Sequence, residues 1–132
     1  MTWPITLLAV LIALIFLMQY FVQRRATQAE GQPAPDTTSV DGAARADARR
    51  LYYFYASHCG PCRAMAPLVG RVCAAHRNLI KVNVAESREL ARGFGITATP
   101  SFVLVEDGTI RQVKLGGQSE RQLLNLIRGD TK

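Results

Sequence analysis

From Trp3 to Val22 the chain reads WPITLLAVLIALIFLMQYFV, twenty residues without a charge. At ~1.5 Å per residue a helix of that length spans ~30 Å, the hydrocarbon thickness of one bilayer. Trp3 and Tyr20 lie near its two ends, where amphipathic rings suit the membrane interfaces. Gln19 is the one strongly polar interruption, and it sits close to the end. A buried helix of a soluble domain and a cleaved signal peptide are the rival readings. Against the second, no Lys or Arg precedes the run, and Arg24 and Arg25 stand where a cleavage region belongs. Residues 1–22 are read as an uncleaved, single-pass transmembrane anchor.

Residues 23–50 read as a flexible tether. Gln32 to Ser39 holds two prolines, small residues and no apolar periodicity. Asp41 to Arg50 has the pattern of a short helix, but its largest apolar residue is alanine, so it can bury little. Residues 51–132 remain for a single folded domain. A hydrophobic content of 48% excludes a disordered chain. Three cysteines are too few for a disulfide-stapled scaffold, and their odd number leaves one unpaired.

Within the domain, Leu51 to Ala56 is a continuous aromatic-rich run and reads as a buried strand. A helix is expected from about Cys59 to His76, with Met65, Leu68, Val69 and Val72 on its apolar face. Leu79 to Val84 alternates apolar and polar residues with strand period. Glu86 to Arg92 reads as a short helix stopped by Gly93 and Gly95. Ser101 to Val105 and Ile110 to Leu115 flank Asp107-Gly108, a hairpin signal. Ser119 with Gln122 forms a capping box that opens a last helix, with Gly129 past its end. The order β-α-β-α-β-β-α makes the first two strands parallel and the last two antiparallel. The fold class is α/β, a small mixed sheet flanked by helices.

Cys59-Gly60-Pro61-Cys62 carries the chemistry. It lies where a buried strand ends and a helix begins. Helix N-terminal N–H groups and the helix dipole stabilise a thiolate there, so Cys59 should ionise below its ordinary range. Pro61 suits a first helical turn, where its missing N–H has no partner to lose. Cys62 falls one turn on, close enough to bond Cys59. Cys59 would attack a substrate disulfide, and Cys62 would resolve the mixed disulfide. Arg63 follows Cys62 where a c-haem site needs His. No second cysteine pair exists for a structural zinc, and His76 lies too far along the helix to join. A metal shared between chains and an inert disulfide remain as rivals. Cys73 is read as a small core residue.

The segment Phe54 to Pro67, FYASHCGPCRAMAP, resembles the active-site strand and helix of thioredoxin. Lys81-Val-Asn83, Gly95-Ile-Thr-Ala-Thr-Pro100 and Gly116-Gly117 extend the resemblance over about Leu51 to Arg128. It implies a thioredoxin fold, with Cys59 as the exposed nucleophile and Cys62 as the buried resolving thiol. Gly60 and Pro61 complete the motif. Pro100 matches the family's cis-proline. Thr99 would offer backbone hydrogen bonds to an extended substrate segment. Gly116 matches a glycine lining the substrate groove, and Pro67 a structural helix-kinking proline. No cofactor is implied beyond the Cys59–Cys62 disulfide.

The chain departs from the family in four ways, one of which, Tyr55 in place of a common tryptophan, reads as core packing. Tyr53 stands where a buried Asp usually helps deprotonate the resolving thiol, and a phenol is a poor base at neutral pH. Lys81, the usual partner of that Asp, is present. His58 replaces a tryptophan before the nucleophile; protonated, it would stabilise the Cys59 thiolate. The family's first strand has no match, which leaves four strands.

The expected activity is a membrane-tethered thiol–disulfide oxidoreductase acting on protein cysteines. Gly-Pro between the cysteines resembles the reducing members of the family. An oxidase or isomerase using the same residues is one alternative, and a non-enzymatic client-binding module is the other. The implied partners are protein disulfides or thiols, an upstream electron-donor protein and the membrane. The net charge of +6 has no nucleic-acid motif behind it. Arg24 and Arg25 favour the cytoplasmic face for the domain. Resemblance to tethered family members favours the extracytoplasmic face.

Overall fold

In this computed structural model residues 1–129 are described; Asp130 to Lys132, the end of the expected domain, lie outside them. Helix α1 runs Trp3–Thr27 and is long and apolar enough to cross a membrane. Met1 to Phe21 are all exposed, and Val22 is the first partly covered residue.

Four strands form the sheet: β1 (Arg49–Tyr55), β2 (Leu79–Asn83), β3 (Ser101–Glu106) and β4 (Thr109–Leu115), in the order β2-β1-β3-β4. β1 and β2 pair in parallel, joined by the crossover helix α3 (Gly60–Ala75). β3 and β4 form the antiparallel hairpin across Asp107-Gly108. The antiparallel pairing of β1 with β3 joins the two halves. Pairing between distant segments leaves no local sequence signal.

The aromatic run of β1 has one layer on each side. Tyr52 and Phe54 point to one face, where they meet Phe94, Val82, Val103 and Ile110. Phe94 follows α4 (Arg88–Gly93). Leu51 and Tyr53 point to the other face, against Met65, Val69 and Val72 of α3 and Leu123 and Ile127 of α5 (Glu120–Arg128). The capping box of α5 is formed: Ser119 Oγ accepts from the Gln122 amide, and Gln122 Oε1 from the Ser119 amide. Gly129 closes the helix at φ 85°, a left-handed position that suits glycine.

Residues 28–50 differ from the flexible tether expected for them. Residues 31–34 lie along the outer edge of β4 as a strap. The Gly31 amide donates to Ile110 O at 2.7 Å, the Ile110 amide to Gln32 O at 2.9 Å, and the Ala34 amide to Gly108 O at 2.8 Å. Glu30 Oε1 accepts from the Val113 amide. Helix α2 (Thr38–Asp41) and a 3₁₀ turn over Gly42–Ala46 follow, and Ala44 is buried.

Asp41 is the pin of this segment. Its carboxylate, 4% exposed, accepts from Thr37 Oγ1 at 2.6 Å, Arg50 Nη1 at 2.7 Å and Tyr52 Oη at 2.5 Å. Burial and the bond to Asp41 push the Tyr52 phenol far above its ordinary range, so it stays a donor. Polar bonds therefore do here what an apolar face does elsewhere. Beyond Gln28 the slack expected of a tether is absent from the described structure.

Candidate active site

The end of β1 delivers the chain to the site. After Tyr55 the backbone turns through Ser57 and His58, and α3 starts at Gly60 with Cys59 as its N-cap. Cys59 Sγ accepts from the Cys62 amide at 3.2 Å, so the sulfur takes the place of a capping oxygen. The Cys62 amide, in the first turn of α3, thus points at the Cys59 sulfur. Pro61 occupies that first turn, as expected.

Cys59 and Cys62 are joined in a disulfide with their Cα atoms 5.1 Å apart. Cys59 is half-buried and Cys62 is 4% exposed. The exposed member is therefore the one an incoming sulfur can reach.

The loop before β3 closes the other side. The Thr99–Pro100 peptide is cis. Thr99 O lies 3.6 Å from Cys59 Sγ. Pro100 is buried, and its carbonyl accepts from the Gly116 amide at 2.9 Å. Gly116, at φ 82°, turns the chain out of β4 where a side chain would be strained. Thr99, Pro100 and Gly116 thus share one rim with Cys59.

Tyr53 is 2% exposed and lies beneath the pair. Its hydroxyl donates to Cys62 O at 3.4 Å. Its ring stacks on Phe102 at 4.9 Å and on Tyr55 at 5.6 Å. Burial, and then the neighbouring Tyr55, push its phenol above the ordinary range. Lys81 is opposite Tyr53 in the β1–β2 register, but its Nζ sits 5.9 Å over the Tyr55 ring. That is the outer limit of a cation–π contact. His58 is exposed on the approach to Cys59. Tyr55 reads from sequence only as packing; in the structure it joins Tyr53 to Lys81.

Cys73 is half-buried further along α3, with Sγ 3.3 Å from Leu79 O. Burial pushes its thiol up, which makes it less reactive. Among the described residues no cluster of three or more His, Cys, Asp or Glu side chains suits a metal.

A mixed sheet of this topology, carrying a Cys-x-x-Cys disulfide at a helix start against a cis-proline, defines the class of thiol–disulfide oxidoreductases. A sequence profile of the family described as Thioredoxin matches residues 39–129. A thioredoxin of Aspergillus fumigatus is 39% identical over 77 residues, which cover 57% of this chain and 71% of the relative. A thioredoxin of Pseudomonas aeruginosa is 30% identical over 82 residues, covering 60% of this chain and 76% of the relative. Among solved structures, a mutant thioredoxin of Halobacterium salinarum superposes with a TM-score of 0.63 at 30% identity, covering 79% of this chain and 93% of that one. The chain belongs to the thioredoxin family. Its chemistry is thiol–disulfide exchange through its own cysteine pair, without a cofactor.

Proposed function

We propose that this protein is a membrane-anchored reductase of protein disulfides, with Cys59 as nucleophile and Cys62 as resolving thiol. One observation carries this reading: the exposed sulfur of the pair caps a helix N-terminus, and the buried one does not. In the reduced protein the same amide and the helix dipole stabilise the Cys59 thiolate. That thiolate attacks one sulfur of a substrate disulfide, and the other sulfur leaves and takes up a proton. Cys62 then loses its proton and attacks Cys59, releasing the second substrate thiol. Two electrons pass to the substrate, and the Cys59–Cys62 disulfide remains for a dithiol donor to reduce.

Thr99, Pro100 and Gly116 form the groove that takes the substrate's backbone. Gly60 and Pro61 shape the first turn, and His58 stands exposed at its mouth. Residues 1–22 anchor the domain. The Gly-Pro spacer supports the reducing direction. Equilibration against glutathione buffers tests it: the potential should fall near ~−270 mV, and a value near ~−120 mV would assign an oxidase instead.

Tyr53 is not the base that deprotonates Cys62. Its hydroxyl meets a carbonyl, and its burial keeps the phenol protonated. Lys81 and water remain to carry that proton. Tyr53→Phe should leave turnover with dithiothreitol as donor within about twofold of wild type and lower stability by at most ~1 kcal/mol, one weak hydrogen bond. A tenfold loss of turnover, about 1.4 kcal/mol in the barrier, would give the phenol the proton-transfer role.

A further inference from the structure

The strap fixes the direction in which the anchor leaves the domain. Ala34 lies against Gly108, Gln32 against Ile110, and Glu30 against Val113. Further back, Met18, Gln19 and Val22 of α1 share a hollow with Leu115. Each step toward the N-terminus is thus a step from the hairpin end of β4 toward its Leu115 end. Ile15 and Gln23 line the same hollow, and residues 3–14 do not.

The Leu115 end is the reactive end. Leu115 pairs with Ser101, and Gly116 bonds Pro100 beside Cys59. The far end of the domain holds the end of α3 and the β3–β4 turn. Six residue steps of β1 separate the ends, ~20 Å of strand.

We propose that the Cys59–Cys62 end of the domain faces the bilayer, and that its substrates are disulfides held at the membrane surface in other membrane proteins. This rests on the reading of α1 as a membrane anchor. The exchange is the one written above, with the substrate disulfide reduced and a dithiol donor oxidised. Docking by the strap holds the rim at the height of the headgroups, where a flexible tether would let it swing free.

The test uses the full chain in vesicles of mixed neutral and anionic phospholipid, some carrying a nitroxide on the headgroup. Trp3 is the only tryptophan, so Trp3→Phe with Gln118→Trp or with Ala75→Trp gives one indole at either end. Flotation with the vesicles reports the anchor. If the chain does not float, the anchor reading falls and this proposal with it. If it floats, quenching of the indole at position 118 and little at 75 is expected. Equal quenching, or stronger quenching at 75, overturns the proposal and leaves the anchor standing.

Lipid-linked peptide disulfides test the substrate class in the same vesicles. One has a spacer of about three residues, reaching ~10 Å, and one about thirty residues, reaching ~30 Å. The short-spacer peptide should be reduced at least as fast as the long one. Reduction of the long-spacer peptide alone would overturn the assignment.

Discussion

Cys59→Ser should abolish disulfide reduction. The half-buried Cys59 sulfur is the one an incoming disulfide can reach, and Cys62 is 4% exposed. A hydroxyl at position 59 stays protonated at neutral pH and cannot open a disulfide. The expected fall is about 10³-fold or more, the scale of losing a covalent nucleophile. Cys62→Ser should behave differently. Cys59 still attacks, but nothing within the chain resolves the product, so a stable mixed disulfide with substrate should accumulate. Non-reducing gels and mass spectrometry read that adduct, and an insulin-type turbidity assay with dithiothreitol reads turnover. Full turnover by Cys59→Ser would reassign the nucleophile.

Asp41→Ala should unfold the domain at a much lower temperature. Three donors converge on this carboxylate, from Thr37, Arg50 and Tyr52. The Arg50 and Asp41 side chains are 14% and 1% exposed, so water replaces the lost acceptor poorly. Removing one partner of a buried ion pair costs about 3–5 kcal/mol. Arg50 keeps some access to solvent, which favours the lower end. For a domain of this size ~3 kcal/mol corresponds to ~15 °C in Tm. Asp41→Asn should cost less, because its carbonyl still accepts from Tyr52. Calorimetry reads both. A change within about 0.5 kcal/mol, the range of an ordinary surface substitution, would mean that Asp41 is not pinned as described.

The two sites differ in how far the sequence disclosed them. Cys59 to Cys62 was legible because its chemistry is local: two thiols, one helical turn and a proline in one short stretch. The strands and α5 were legible for the same reason, through apolar alternation and the Ser119–Gln122 cap. Asp41 was not. Its residues read as a tether because they lack large apolar side chains. The segment instead packs by backbone bonds to β4 and by one carboxylate whose partners Arg50 and Tyr52 lie on β1. Neither leaves a periodic trace. The position of Lys81 over Tyr55 was equally hidden, since it depends on how β1 and β2 align. Tyr53 reads as a departure from sequence, but only its contact with Cys62 O shows what the phenol does.

The strap has a consequence for solubility. A sheet's outer strand offers unpaired N–H and C=O groups, a template for pairing with another chain. The Ile110 amide and carbonyl on β4, and the Gly108 carbonyl in the turn before it, are taken up by residues 31–34. A form cleaved near Gln28 keeps this cover and loses only the apolar helix. A form beginning at Asp36 lacks the cover, and the bare β4 invites a second copy to pair along it. Where the chain is cut decides between a monomer in solution and a domain prone to self-association.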